Sequence, residues 1–148
     1  MNKGRAEIVS LARDWIGTPN HHRASCKGAG ADCLGLVRGV WRDTVGAEPI
    51  ALPDYGTSWP YSGQGERLWL VLTNHFVERS KDDFEDGSVL LFRLHRLSAA
   101  SHLGIVSRSK GSPAFIHSYG PHGVVESPLN PAWKRRIVAC FDFPERST

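Results

Sequence analysis

Gly28-Ala-Gly-Ala-Asp32-Cys33-Leu34-Gly35-Leu36-Val37-Arg38-Gly39-Val40-Trp41 is the stretch on which the reading of the fold turns. A glycine-rich run ends in an acidic residue, a cysteine follows at once, and apolar residues then recur at helical spacing. Cys33, Leu36, Val37, Val40 and Trp41 share one face of a helix running to about Asp43. Asp32 is a favourable N-cap, and the glycines before it let the chain turn into the helix. The cysteine therefore sits in the first turn, where unpaired N–H groups and the helix dipole favour an anion. A thiolate with a lowered pKa, hence a nucleophile, is expected there. The competing reading is a small buried cysteine in a core helix.

Upstream, Arg5 to Ile16 reads as a helix with Ile8, Leu11, Ala12, Trp15 and Ile16 on its apolar face, stopped by Gly17-Thr18-Pro19. Asn20 to Gly30 is a polar loop. Downstream, Gly46 to Gly65 carries Pro49, Pro53 and Pro60 among several glycines and reads as a long irregular excursion, suited to one wall of a substrate cleft. A third helix spans Glu66 to about Val77, with Leu68, Val71, Leu72 and Phe76 as its core face. From Asp86-Gly87 the period becomes that of strands: Ser88–Leu94, His102–Ser107, Ala114–Tyr119, Gly123–Glu126 and Arg136–Phe143. Short connections suggest an antiparallel meander, and Pro144 to Thr148 a frayed tail. Helices first and strands afterwards make this an α+β chain, N-terminal helices packed on an antiparallel sheet of about five strands, in a single domain over residues 1–148.

Composition narrows the partners. Of 148 residues 41% are hydrophobic and 22% charged, which is ordinary for a globular protein. The net charge of +3 comes without a Lys/Arg-rich block or an aromatic ladder, which argues against nucleic acid and is compatible with an anionic polymer such as a bacterial cell wall. Cys26, Cys33 and Cys140 form no CxxC pair, and no zinc spacing arises even with His21 and His22 near Cys26, so no metal is expected. The pattern suits free thiols made in a reducing cytoplasm. The N-terminus lacks the apolar region of a signal peptide, and no run reaches membrane-spanning length; no membrane insertion is expected.

A cysteine nucleophile needs a base, and the base needs a group that fixes its orientation and tautomer. His102 opens the second strand and His117 lies within the third. By alternation His102, Gly104 and Val106 share one face, and Phe115, His117 and Tyr119 share one face of the neighbour. If these faces coincide and the Cys33 helix packs on them, a thiol and two imidazoles converge, with Gly104 allowing the helix backbone to come close. Taken singly, His102 and His117 each read as a surface or hydrogen-bonded core residue ahead of a catalytic one; His21, His22, His75, His95 and His122 are read as solvent, boundary or loop residues.

Asp32-Cys33-Leu34-Gly35-Leu36, His102-Leu103-Gly104-Ile105-Val106 and Ile116-His117-Ser118 together resemble the three signature segments of the NlpC-type cell-wall cysteine peptidases, which have a papain-like fold. The likeness is greatest to the branch encoded in bacteriophage and gene-transfer-agent tail clusters. There, segments similar to Trp15–Pro19, Gly28–Trp41, Val89–Phe92 and His122–Pro128 also occur, so the resemblance runs from about Ala6 to Phe143. It implies a thiol endopeptidase, free of cofactor and metal, cleaving peptidoglycan stem peptides at γ-D-glutamyl–diaminopimelate-type bonds. Cys33 is then the nucleophile, His102 the general base and later acid, and His117 the orienting residue. Asn20 stands where relatives carry a tyrosine; the resemblance puts Asn20 and Asp32 at the oxyanion or substrate wall, which Asn20 alters, while Asn20 reads equally as a turn-forming residue after Pro19.

The resemblance further implies a virion component. The protein would be made in the cytoplasm without a signal peptide, docked on a tail hub or baseplate, and delivered to the target's cell wall. Leu103 and Ile105, alternating with the catalytic face, need cover from another layer or a partner. Two alternatives remain open at this point. One is a structural tail subunit, weak or inactive as a catalyst, that keeps the fold. The other is a thiol acyltransferase or amidase of the same superfamily.

Overall fold

In the computed structural model, which describes residues 3–49 and 66–145, helix α1 (Lys3–Arg13) is followed by a two-stranded hairpin, β1 (Ser25–Cys26) and β2 (Gly30–Ala31). Next come helices α2 (Cys33–Thr44) and α3 (Arg67–His75), then strands β3 (Val77–Arg79), β4 (Val89–Phe92), β5 (His102–Ser109), β6 (Ser112–Ser118) and β7 (Val124–Pro128). A single-turn helix α4 (Pro131–Lys134) leads into β8 (Ile137–Asp142). The main sheet has six strands rather than about five, in the order β3-β8-β4-β5-β6-β7, with antiparallel pairing throughout. It is not a plain meander. The last strand returns to lie between β4 and the short edge strand β3, which the alternation of so few residues could not announce. Residues 50–65 of the expected irregular excursion, including Pro53 and Pro60, lie outside the described residues, as do residues 146–148 of the expected tail.

Helix α2 forms for the reasons its sequence gives. Asp32 caps it, its Oδ1 accepting from the Gly35 N–H at 2.7 Å, and Leu34, Leu36, Val37, Val40 and Trp41 are buried. Two glycines sit inside this helix at a propensity cost of about 1 kcal/mol each. Space explains both: a Cβ on Gly35 would strike the Ala24 carbonyl oxygen, and one on Gly39 the ring of Trp15. Helix α2 can thus lie flat on the hairpin and on the end of α1.

The sheet has two covered faces. On one, α1, α2 and α3 pack Ala12, Trp15, Leu36, Val37, Val40 and Leu72 against Val89, Leu91, Leu103, Ile105, Ile116 and Phe141. Leu103 and Ile105 are therefore covered by the protein's own helices and need no partner. On the other face Leu90, Phe92, Val106, Phe115 and Cys140 form a second core, closed by Leu129, Phe84, Leu94 and Trp133 from connecting segments. In α1 the inward positions include Val9 at 8% exposure, while Ile16, beyond the helix's end, is 44% exposed. Of the expected face, Ala12 and Trp15 are buried and Ile8 and Leu11 half-buried, while Val9 is an inward position that face did not include.

An ion-pair group ties the chain's beginning to its end. Arg5 and Arg79 both reach the Asp142 carboxylate, at 2.7 and 3.1 Å, and the Ser88 hydroxyl donates to it at 2.8 Å. These donors hold the Asp142 carboxyl below the usual range against the opposing effect of burial.

Candidate active site

Cys33 begins α2, as its spacing predicts, and its side chain is half-buried against the helix-covered core. The thiol donates to the carbonyl oxygen of Ser101 at 3.6 Å, the residue just before His102. Ser101 is held in turn: its N–H donates to the Phe92 carbonyl, and the preceding loop is pinned by Glu66, which accepts from the Ala100 N–H at 2.8 Å and pairs with Arg93 at 2.8 Å. The start of α3 thus fixes the strand entrance against which the sulfur lies.

The two histidines meet. His102 Nε2 and His117 Nδ1 are 2.7 Å apart, and His117 Nε2 lies 2.9 Å from the Ser127 hydroxyl. His117 is fully buried and His102 is 6% exposed. Around them stands a shell of rings: Trp133 has its centroid 5.7 Å from His102 and 5.4 Å from His117, Phe115 lies 4.1 Å from His117, and Tyr119 stacks on His117 at 5.4 Å.

The expected single catalytic face is corrected. Helix α2 packs on the Leu103–Ile105 face, whereas both imidazoles lie on the opposite one, among Phe92, Phe115 and Trp133. Gly104 accordingly does not admit the helix backbone; its missing side chain makes room for the Phe115 ring. Cys33 meets the pair at the end of β5, where its sulfur lies against backbone flanking His102. Among the described residues the sulfur has no hydrogen bond to either imidazole, and His102 Nδ1 has no hydrogen-bond partner.

Electrostatics corrects the second expectation. The helix start was expected to lower the thiol pKa, yet burial, aided by the Asp32 charge, pushes it up to about 12. The amides of Leu103, Leu34 and Cys33 itself act the other way and are outweighed. Burial, with the adjacent His117, pushes His102 down to about 3, and burial pushes His117 down to about 4. Burial thus favours the uncharged forms of the thiol and of both imidazoles.

Asp32 spends its carboxylate on structure: Oδ1 caps α2 and Oδ2 accepts from the Arg23 N–H at 2.7 Å. Asn20 is exposed; its amide donates to the Gly120 carbonyl at 3.3 Å, and its oxygen accepts from the Ser118 hydroxyl at 3.2 Å. Both therefore fasten loops beside the strand that carries His117. Trp133 and Ser127 were not singled out by sequence reasoning. Asn130-Pro131 does carry an N-cap and first-turn proline signature, and Asn130 Oδ1 accepts from the Trp133 N–H at 2.9 Å. That signal finds the turn, not the ring's place over the histidines.

Comparison with solved structures places the fold. The chain superposes on the NlpC/p60 domain of the peptidoglycan hydrolase SagA with a TM-score of 0.60, at 19% identity, over 97% of this chain and 100% of that one. The fold is that of an NlpC/p60 domain. An NlpC/p60 family protein from Bacillus cereus ATCC 10987 gives 0.61 at 16% identity over 92% of this chain, which spans only 39% of that longer one. An N-acetylmuramoyl-L-alanine amidase from Bacteroides uniformis ATCC 8492 gives 0.56 at 12% identity, over 95% of this chain and 98% of that one. No family model matches the sequence, and no curated protein does either. In this chain the helix that opens on Cys33 covers one face of the antiparallel sheet, and His102 and His117 lie on the other. Among the described residues no cluster of His, Cys, Asp and Glu is arranged to hold a metal ion.

Proposed function

We propose that the protein is a peptidoglycan hydrolase acting as a cysteine endopeptidase on stem peptides, at γ-D-glutamyl–diaminopimelate-type bonds. One observation carries the reading: a half-buried thiol at a helix start lies against the residue next to His102, whose ring is paired with His117. Likeness of fold to domains of peptidoglycan hydrolases supports it.

With the uncharged forms favoured, the order of steps follows. In the first proposed step the thiol leaves the Ser101 carbonyl and turns its proton to His102. His102 accepts the proton as sulfur attacks the peptide carbonyl, so charge arises only as the S–C bond forms. In this reading the N–H of Cys33, at the start of α2, donates to the oxyanion. His102 then protonates the leaving amine, and water attacks the thioester with His102 again as base, releasing the acid and the thiol. We place this activity on a phage-like or gene-transfer-agent tail, bound to a hub or baseplate and acting on the wall of the target cell.

The test is digestion of purified cell wall and of a γ-glutamyl–diaminopimelate peptide, with product masses read out for wild type and Cys33→Ala. Cleavage by wild type alone, at the γ-glutamyl bond, is expected. Cleavage of the muramoyl–alanine amide instead would reassign the bond, and equal turnover by the variant would sink the thiol mechanism. No turnover by either would favour a structural tail subunit. Detection of the chain in purified particles, against its absence from them, decides the tail assignment.

A further inference from the structure

We propose that the groove between the β3–β4 connection and α4 is an anion-binding site, apart from the Cys33 site, that takes the free carboxylates of stem peptides in intact wall. This rests on the reading of the protein as a peptidoglycan hydrolase. The groove measures about 350 Å³ and is lined by Lys81, Asp82, Phe84, Lys134, Arg135 and Ile137. Neither Cys33 nor either imidazole lines it.

The distribution of counter-charges picks out this place. Arg13 pairs with Glu126, Arg38 with Glu48, Arg79 with Asp142 and Arg93 with Glu66. Lys81, Lys134 and Arg135 are exposed, and none of them has an ion pair or side-chain hydrogen bond among the described residues. They share the groove with one carboxylate, Asp82, which pairs with none of them. A cleft lined by one sign of charge over apolar walls concentrates counter-ions. Phe84 and Ile137 supply such a floor, since both pack in the second core.

Both walls are held in place. Arg79 ties the turn before β4, donating to the Asp83 carbonyl at 3.1 Å and pairing with its carboxylate at 3.0 Å. Asn130 caps α4, and the Lys134 N–H donates to the Asn130 carbonyl at 2.9 Å. The sequence shows no basic block because Lys81 joins Lys134 and Arg135 from a separate segment. The ligand class follows from bond chemistry. A glutamyl residue joined through its γ-carboxyl keeps its α-carboxylate, and diaminopimelate has two carboxyls, of which chain extension uses one. Uncut stem peptides therefore present carboxylates, ionised near neutral pH, all along the wall. The groove would hold the protein on that wall and add nothing to cleavage of a short soluble peptide.

The experiment measures co-sedimentation with purified peptidoglycan, stripped of phosphate-bearing polymer by hydrofluoric acid, in a Cys33→Ala background that leaves the wall uncut. Replacing Lys81, Lys134 and Arg135 together by Gln should weaken binding roughly tenfold at low salt, and high salt should erase the difference. A control that removes equal charge elsewhere, Lys27→Gln with Arg96→Gln and Lys110→Gln, should bind like the parent. Capping the wall's carboxylates as methylamides should lower parent binding to the level of the groove variant. With Cys33 restored, the groove variant should cleave a soluble γ-glutamyl–diaminopimelate peptide at the wild-type rate and intact wall several-fold more slowly. Parent-like binding by the groove variant overturns the proposal, as does equal loss in the control, which would mean diffuse charge. Binding that survives capping, or that needs the phosphate polymer, overturns it too. If the parent binds through the groove while wild type cleaves nothing, the hydrolase reading fails and the groove stands.

Discussion

The two faces of the main sheet are made by alternate residues of the same strands, yet they are built on different principles. One is covered by three helices, and its core is largely aliphatic: Leu36, Val37 and Val40 meet Leu103, Ile105 and Ile116. The other is covered by one helical turn and connecting loops, and around the histidines it is made of rings: Phe92, Phe115, Tyr119 and Trp133. Interdigitated aliphatic side chains give close packing and stability. Rings give flat, dry walls that hold an imidazole in one orientation and strip its charge by desolvation. Cys33 belongs to the first face and the histidines to the second. The candidate site lies where the two meet, at the entrance of β5.

The largest effect expected tests that meeting. Cys33→Ala should lower cell-wall turnover about 10³-fold or more with an unchanged melting temperature, since a half-buried thiol contributes little packing. On the imidazole side, His117→Asn or Gln retains a group able to orient His102 and should lose less than His117→Ala. Equal losses from all three would show that His117 serves something other than orientation.

Next in size is a contrast between the faces. Ile105→Ala, on the helix-covered side, should cost about 2–5 kcal/mol, and Phe115→Ala, on the other, about 3–5 kcal/mol, read by denaturant unfolding. Activity at a temperature where both variants remain folded should separate them. Phe115 lies 4.1 Å from His117 and fills the space left at Gly104, so its loss unseats the imidazole and lowers kcat. Ile105 touches neither ring and should leave kcat close to wild type. Equal kcat for the two variants would mean that the ring-lined face is ordinary core.

The same contrast accounts for what the sequence made legible. Helix α2, its Asp32 cap and its buried face follow from periodicity, because a twelve-residue helix repeats its signal three times over. Strands β4 to β6 follow from alternation, and the pairing of His102 with His117 was expected from their positions on adjacent strands. Which face the helix would cover was not legible. Leu103 and His102 are equally regular in an alternating strand, and only the bulk of Leu36, Val37 and Val40 opposite them decides. Trp133 and Ser127 escaped because each reaches the site from a short segment without a period of its own. The thiol's raised pKa escaped because a dipole argument reads from the helix alone, whereas the burial that outweighs it comes from the β5 entrance.

Smaller, and specific to the dry side, is a pH effect. Unfolded histidine titrates near 6.5, whereas folded His102 and His117 are held at about 3 and about 4. The unfolded chain therefore binds more protons in the window below pH 6.5, and stability should decline as pH falls from about 6.5 towards 4. His117→Asn should flatten that decline, and an identical slope in variant and wild type would show that the rings are not held neutral. The thiol gives the complementary readout. In a Cys26→Ser, Cys140→Ser background, alkylation of Cys33 should rise with pH well beyond the ordinary cysteine range, towards about 12. A plateau of reactivity below pH 7 would instead mark a thiolate–imidazolium pair.

The smallest effect concerns Asn20. A side chain that stabilises an oxyanion costs about 10²–10³-fold in kcat when removed. Asn20 is exposed, its amide is turned to the Gly120 carbonyl at 3.3 Å, and Ser118, its other partner, makes a shorter bond of 2.7 Å to the Ala31 carbonyl. Its contacts join the loop after α1 to the end of β6, which is the work of a fastening and not of a donor aimed at a reacting carbonyl. Asn20→Ala should therefore lower kcat only a few-fold, far short of the roughly 10²-fold an oxyanion donor would show. It should cost about 1 kcal/mol of stability or less, measured by denaturant unfolding beside the turnover assay. A hundredfold fall in kcat with stability intact would return Asn20 to the oxyanion wall and would mean that its amide swings away from Gly120 when substrate binds.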